Sequence, residues 1–126
     1  MSFRAYDFIV SGTIEAGLGE GIVSPAEKLA EYIHCTLVEG GRWELTLSDG
    51  FWYGYRRKKG RTTVRLALYV DDVFDEDLLL VIRAECDMVA RFFSADVANS
   101  VIDDGIKRIR KALRQAGVGC RPFGNR

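Results

Sequence analysis

The sequence predicts an α+β domain, a mostly antiparallel sheet of about five strands in the order β-α-β-β-β-β-α with both helices packed on one face. Three observations predict it. Two segments, one early and one late, repeat apolar residues at the 3.6-residue period of an amphipathic helix. The stretch between them alternates apolar and polar residues around turn-forming dipeptides, the period-2 pattern of half-buried strands. The chain has 126 residues, 48% of them hydrophobic and 29% charged, which suits one compact core. Residues 1–117 are therefore expected to form a single domain, and 118–126 a loose tail.

The first strand is read over residues 4–14, RAYDFIVSGTI, where Tyr6, Phe8 and Val10 share one side. A loop, EAGLGEGIV, follows. Its Gly17–Gly21 stretch stands where a phosphate loop would, but the helix starts several residues later and no Lys-Ser/Thr pair accompanies it. In SPAE, Ser24 can cap a helix, Pro25 suits the first helical position because its missing N–H would be unpaired there, and Glu27 can close a capping box. Ala26, Leu29, Ala30, Ile33 and Leu37 form the apolar stripe, and Gly40-Gly41 ends the helix near residue 38.

RWELTLSDGFWYGYRR alternates on either side of Asp49-Gly50, which suits a two-residue hairpin turn. That turn pairs Leu47 with Trp52 and Leu45 with Gly54. For the next turn a three-residue loop, Lys58-Lys59-Gly60, pairs Arg57 with Arg61, Gly54 with Val64 and Trp52 with Leu66. A two-residue loop would instead put Val64, Leu66 and Leu68 on the face opposite Leu45 and Leu47, because a one-residue slip moves every side chain across the sheet. Residues 78–93 alternate from Leu80 through Ile82, Ala84, Cys86 and Met88 to Phe92 and are read as a strand rather than a helix. A final helix over about 95–116 carries Ala98, Ile102, Ile106, Ile109 and Leu113 on its stripe, pairs Asp103 with Lys107 and Asp104 with Arg108, and stops at Gly117.

Composition restricts function. The 18 basic and 18 acidic residues cancel, so no global attraction draws the chain to polyanions. No apolar run is long enough to span a bilayer and no secretory leader is legible, so the chain reads as cytoplasmic with no membrane contact. Cys35, Cys86 and Cys120 are widely spaced, which fits reduced thiols better than a bridge or a zinc site. No metal or cofactor is expected.

Two charged clusters remain. FWYGYRRKKGR, residues 51–61, places four aromatic residues before five positive charges. With the register above, Trp43, Leu45, Leu47, Trp52, Val64, Leu66 and Leu68 face the helices. Glu44, Thr46, Phe51, Tyr53, Tyr55, Arg57, Thr63, Arg65 and Tyr69 then face outward. DDVFDED, residues 71–77, carries five acids at the opposite end of the sheet.

A non-enzymatic protein-binding module is the leading expectation. Its contacts would come from Asp71, Asp72, Phe74, Asp75, Glu76 and Asp77, and from Phe51, Tyr53, Tyr55, Arg57, Arg65 and Tyr69. A bacterial immunity protein or antitoxin that blocks a basic toxin or nuclease would be one such. A single-stranded nucleic-acid binder using the aromatic-basic hairpin is the alternative, and a small enzyme with an acid/base site at Glu44 and Tyr55 is the third reading. The only histidine, His34, borders the apolar stripe while Cys35 points away from it, which argues against a Cys-His nucleophilic pair.

Overall fold

The computed structural model describes residues 2–12, 24–49, 52–71, 77–86 and 95–123. Phe51, Asp72, Phe74, Asp75 and Glu76, all expected at a binding surface, lie outside the described residues, as do the GLGEG loop and residues 87–93.

The chain runs β1 (Ser2–Ser11), α1 (Pro25–Glu39), β2 (Glu44–Asp49), β3 (Trp52–Lys59), β4 (Thr62–Asp71), β5 (Asp77–Cys86), α2 (Ala95–Gln115) and β6 (Gly119–Pro122). The strands form one six-stranded sheet in the order β2-β3-β4-β5-β1-β6, with every neighbouring pair antiparallel. The α+β class and the placement of the helices are as expected, and residues 77–86 are strand. The sixth strand was not expected: Gly119–Pro122, read as tail, pairs with β1 from Phe8 to Ser11. The Phe123 N–H extends this by donating to the Asp7 carbonyl at 2.9 Å.

Both helices form where the periodicity puts them, because each buries its stripe. Ala26, Leu29, Ala30, Ile33 and Leu37 of α1 are buried, as are Ala98, Val101, Ile102, Ile106, Ile109 and Leu113 of α2. The start of α1 is set by Pro25 and the Lys28 N–H to Ser24 carbonyl bond of 3.0 Å; the Ser24 hydroxyl makes no capping bond. The end of α2 is a left-handed glycine cap: Gly117 has φ +79°, its N–H reaches the Arg114 carbonyl, and the Val118 N–H reaches the Leu113 carbonyl. These two bonds satisfy carbonyls that the helix leaves unpaired, and only glycine takes that φ without steric cost. They also turn the chain toward β6.

The registers of β2 and β3 differ from the expected ones. Trp52 pairs with Asp49 and not with Leu47, and Lys59 pairs with Thr62, so the β3–β4 loop is the two residues Gly60-Arg61. Tyr53 therefore pairs with Leu68, Tyr55 with Leu66 and Arg57 with Val64. The face is inverted on β3: Tyr53 and Tyr55 are 7% and 1% exposed, whereas Trp52 is 45% exposed. Val64, Leu66 and Leu68 are in the core, as expected, and Val70 joins them.

A bulge explains the inversion. Leu45 pairs with Tyr55 and Leu47 with Gly54, leaving Thr46 as the extra residue. Leu45 thus lies on the helix side and Leu47 on the far side of the sheet, although they are two apart in sequence. No register that keeps them together describes the fold.

Candidate binding surface

Across the face away from the helices, the ladder sets side chains in rows. One row runs Glu44, Arg56, Arg65, Glu85; the next Leu47, Gly54, Ala67, Arg83; the third Asp49, Trp52, Tyr69, Val81, Asp7. The middle row is low because Gly54 and Ala67 project almost nothing. A depression of about 270 Å³ forms over them, walled by Thr46, Leu47, Trp52, Arg65, Arg83 and Glu85. Its size matches one large side chain more closely than a drug-sized ligand.

Gly54 follows from the bulge. A Cβ there would stand 3.2 Å from both the Thr46 Oγ1 and the Leu47 Cβ, because two residues of β2 share the space opposite one residue of β3. Trp52 packs tilted against Tyr69 with ring centroids 5.5 Å apart, and Leu47 is 51% exposed. These rings and Leu47 make the apolar wall.

The charges of the face are largely engaged. Arg56 meets Glu44 at 2.9 Å, and Arg83 meets Asp7 at 2.9 Å while also donating to the Ile82 carbonyl. Arg65 forms no ion pair among the described residues. Lys58, Lys59 and Arg61 are exposed at the β3–β4 turn, and Asp71 and Asp77 stand at the other end of the strands. Asp77 lies 3.8 Å from Arg121.

Of the expected contact residues, Arg65 and Tyr69 do face outward, as do Glu44, Thr46 and Thr63. Tyr53, Tyr55 and Arg57 do not. Arg57 runs under α2, 2.8 Å from Asp104 and over the Trp43 ring at 5.6 Å. The tyrosines belong to a polar cluster that the sequence reading missed. The Tyr53 hydroxyl donates to Glu31 at 3.1 Å, the Tyr55 hydroxyl and His34 Nδ1 are hydrogen-bonded at 2.8 Å, and the His34 ring stacks on Tyr53 at 4.6 Å. Cys35 donates to the second Glu31 oxygen at 3.6 Å.

Burial, then the Glu31 contact, pushes the Tyr53 phenol up to about 12. Burial pushes Tyr55 up as well, and burial together with Glu31 and Glu39 raises the Cys35 thiol. Each shift favours the neutral acid, the opposite of what a phenolate base or a thiolate nucleophile requires. A signal was present: Glu31 and His34, one turn apart beside the apolar stripe, are the partners that let alternate tyrosines be buried.

The chain matches no family model, no curated protein and no solved structure. Its surfaces must therefore speak through their own chemistry. The enzyme reading centred on Glu44 and Tyr55 separates its two residues: Glu44 lies on the outer face and Tyr55 on the helix side. The nucleic-acid reading loses Tyr53 and Tyr55 as stacking platforms, since neither ring face is open to a base. Among the described residues no group of three or more His, Cys, Asp or Glu side chains is placed to hold a metal ion, and no helix is long and apolar enough to cross a membrane.

Proposed function

We propose that the chain is a small, non-enzymatic protein-binding module that docks its partner on the β2–β3 side of the sheet. The observation that carries this reading is the depression over Gly54 and Ala67, flanked by Leu47 and Trp52, both about half exposed in a chain that buries most of its large apolar residues. Tryptophan beside a pocket, bordered by arginine and carboxylates, is the composition of an interaction hot spot. The paired charges around it favour a protein surface over a phosphate backbone, because few cations on this face are left to neutralise phosphates. A contact inhibitor of a basic toxin or nuclease, of the immunity or antitoxin kind, is the narrower form of this reading. Its support is the division of charge between the Lys58–Arg61 turn and the Asp71/Asp77 end.

Immobilised protein offered to lysate of its native cell tests the reading. The wild type should retain a specific protein that Trp52→Ala and Leu47→Asp both release and that Arg114→Ala, on the far side of the molecule, keeps. Retention of single-stranded nucleic acid in place of any protein, with affinity that falls steeply with salt, would sink it.

A further inference from the structure

The two edges of the sheet are not alike. β6 is four residues long, ends at Pro122, and carries Arg121 beside Asp77; shortness, proline and charge are the usual means of blunting an edge. β2 has six residues, all exposed, with neither proline nor a basic side chain among them. Among the described residues the exposed large apolar side chains are Val38, Leu45, Leu47 and Trp52, with Phe123 just after β6. Leu45 and Leu47 lie on β2 itself, Trp52 pairs with its last residue, and Val38 is one turn beyond His34 and Cys35 on the side of α1 that faces β3. Both faces of this edge are thus apolar where the other edge is protected.

Carboxylates outnumber cations around it, with Arg56 already meeting Glu44 at 2.9 Å. Glu44 and Asp49 close the two ends of β2. On the helix side, Glu27 and Glu31 act on Tyr53, and Glu31 and Glu39 act on Cys35, which places these carboxylates along the same flank. We propose that β2 is a strand-addition site whose occupant is an extended segment of a basic partner protein, apolar at two adjacent positions, which point to opposite faces, and bearing lysine or arginine at each end. Main-chain hydrogen bonds to the free side of β2 supply affinity, the apolar residues meet Leu45 and Leu47 on the two faces, and the flanking cations meet Glu44 and Asp49.

A second copy of this chain fits less well. Antiparallel pairing of β2 with itself about Thr46 and Leu47 sets Glu44 opposite Asp49 of the other copy twice, and like charges directly opposite are destabilising. The bulge at Thr46 sharpens the local twist, which opposes the long flat pairing of aggregating edges yet leaves room for a short strand.

This inference rests on the protein-binding reading and is tested apart from it. Full-length protein is titrated with two capped peptides, Lys-Thr-Val-Val-Lys, whose spacing follows the positions that face Asp49, Ser48, Leu47, Leu45 and Glu44 across the bulge, and the same sequence with glutamate at both ends, while amide exchange is followed by NMR. The lysine-ended peptide should slow exchange at Glu44–Asp49, and the glutamate-ended one should bind about tenfold more weakly, two cross-strand charge pairs having changed sign. The double variant Glu44→Lys/Asp49→Lys should reverse that preference. Equal binding of the two peptides, protection at β6 in place of β2, or slowing at β2 that rises with protein concentration alone would overturn strand addition. A cellular partner released by Trp52→Ala but kept by the double charge reversal would leave protein binding standing and remove strand addition only.

Discussion

Gly105 shows how a single position can overrule a local preference. In the middle of α2, glycine costs about 1 kcal/mol relative to alanine, so replacement ought to stabilise. A Cβ at Gly105, however, would stand 2.9 Å from Trp43 Cζ2 and 3.3 Å from Leu66 Cδ1, inside a close-packed core. Overpacking costs about 1–3 kcal/mol, so Gly105→Ala is expected to lower stability by about 1 kcal/mol net in urea titration. The buried tyrosines make a second prediction. The Tyr53 phenol titrates near 12 in the folded protein and near 10 when unfolded, so the native state holds its proton more tightly. That contribution is intact below pH 10 and is lost as pH rises toward 12. Alkaline unfolding should steepen in this window, and Tyr53→Phe should remove part of the pH dependence and one late phenolate step from the ultraviolet titration. None of this was legible from Tyr53 and Tyr55 alone, because an aromatic-basic run reads equally as a binding patch or as buried rings with polar partners elsewhere.

Helix α2 is tied to its neighbours by pairs of unequal worth. Arg57 and Asp104, 2.8 Å apart with Arg57 largely covered and stacked over Trp43, couple β3 to α2. Arg108 joins the same carboxylate at 3.9 Å and lies against Gly40 at the end of α1, where a cation suits the helix dipole. Arg4 and Asp103, 3.3 Å apart, are both well exposed. Arg57→Ala should therefore cost about 2 kcal/mol, since it leaves Asp104 short of a partner and Trp43 uncovered. Arg4→Ala should cost about 0.5 kcal/mol or less; chemical denaturation of both variants compares them directly. β6 carries a third expectation. Ending the chain after Val118 removes the ladder to Phe8–Ser11 and the Phe123 bond, a loss of about 2–4 kcal/mol at ~1 kcal/mol for each net hydrogen bond; a loose tail would be removed at no cost.

The elements themselves were legible wherever one period dominates. The stripes of α1 and α2 and the alternation of β5 each bury the residues their spacing selects. The β2–β3 register was not. Placing Leu45 and Leu47 together inside seems obligatory from alternation, and that assumption alone forces Trp52 inward and Tyr53 outward. The bulge at Thr46 breaks it, and its mark in the sequence stands on the neighbouring strand, where Gly54 leaves the space that two residues of β2 fill. The short β6 escaped for another reason: it is too brief and polar to show a period, and its place follows from the glycine cap of Gly117 and the turn that the cap imposes.

Among the described residues, apolar exposure gathers at the β2 side of the sheet, while the ends of the sheet divide charge between the Lys58–Arg61 turn and Asp71/Asp77. Because Leu45 and Leu47 are already about half exposed, the double change Leu45→Thr/Leu47→Thr should alter stability by about 0.5 kcal/mol or less while weakening binding of the lysine-ended peptide, read from a thermal melt and from the NMR titration. A large fall in melting temperature would mean that these leucines hold the fold together.

Strand β2 also has a kinetic consequence. It is bonded to β3 alone, lies uncovered on both faces, and is interrupted by Thr46, whereas β4 has strands on both sides and both helices above it. Opening should therefore begin at β2 and reach β4 last, with amide protection graded across the sheet in that order. A strand that leaves its own hairpin at little cost can be replaced there by the same strand of another molecule, so concentrated, gently heated protein is where exchanged dimers would first be sought.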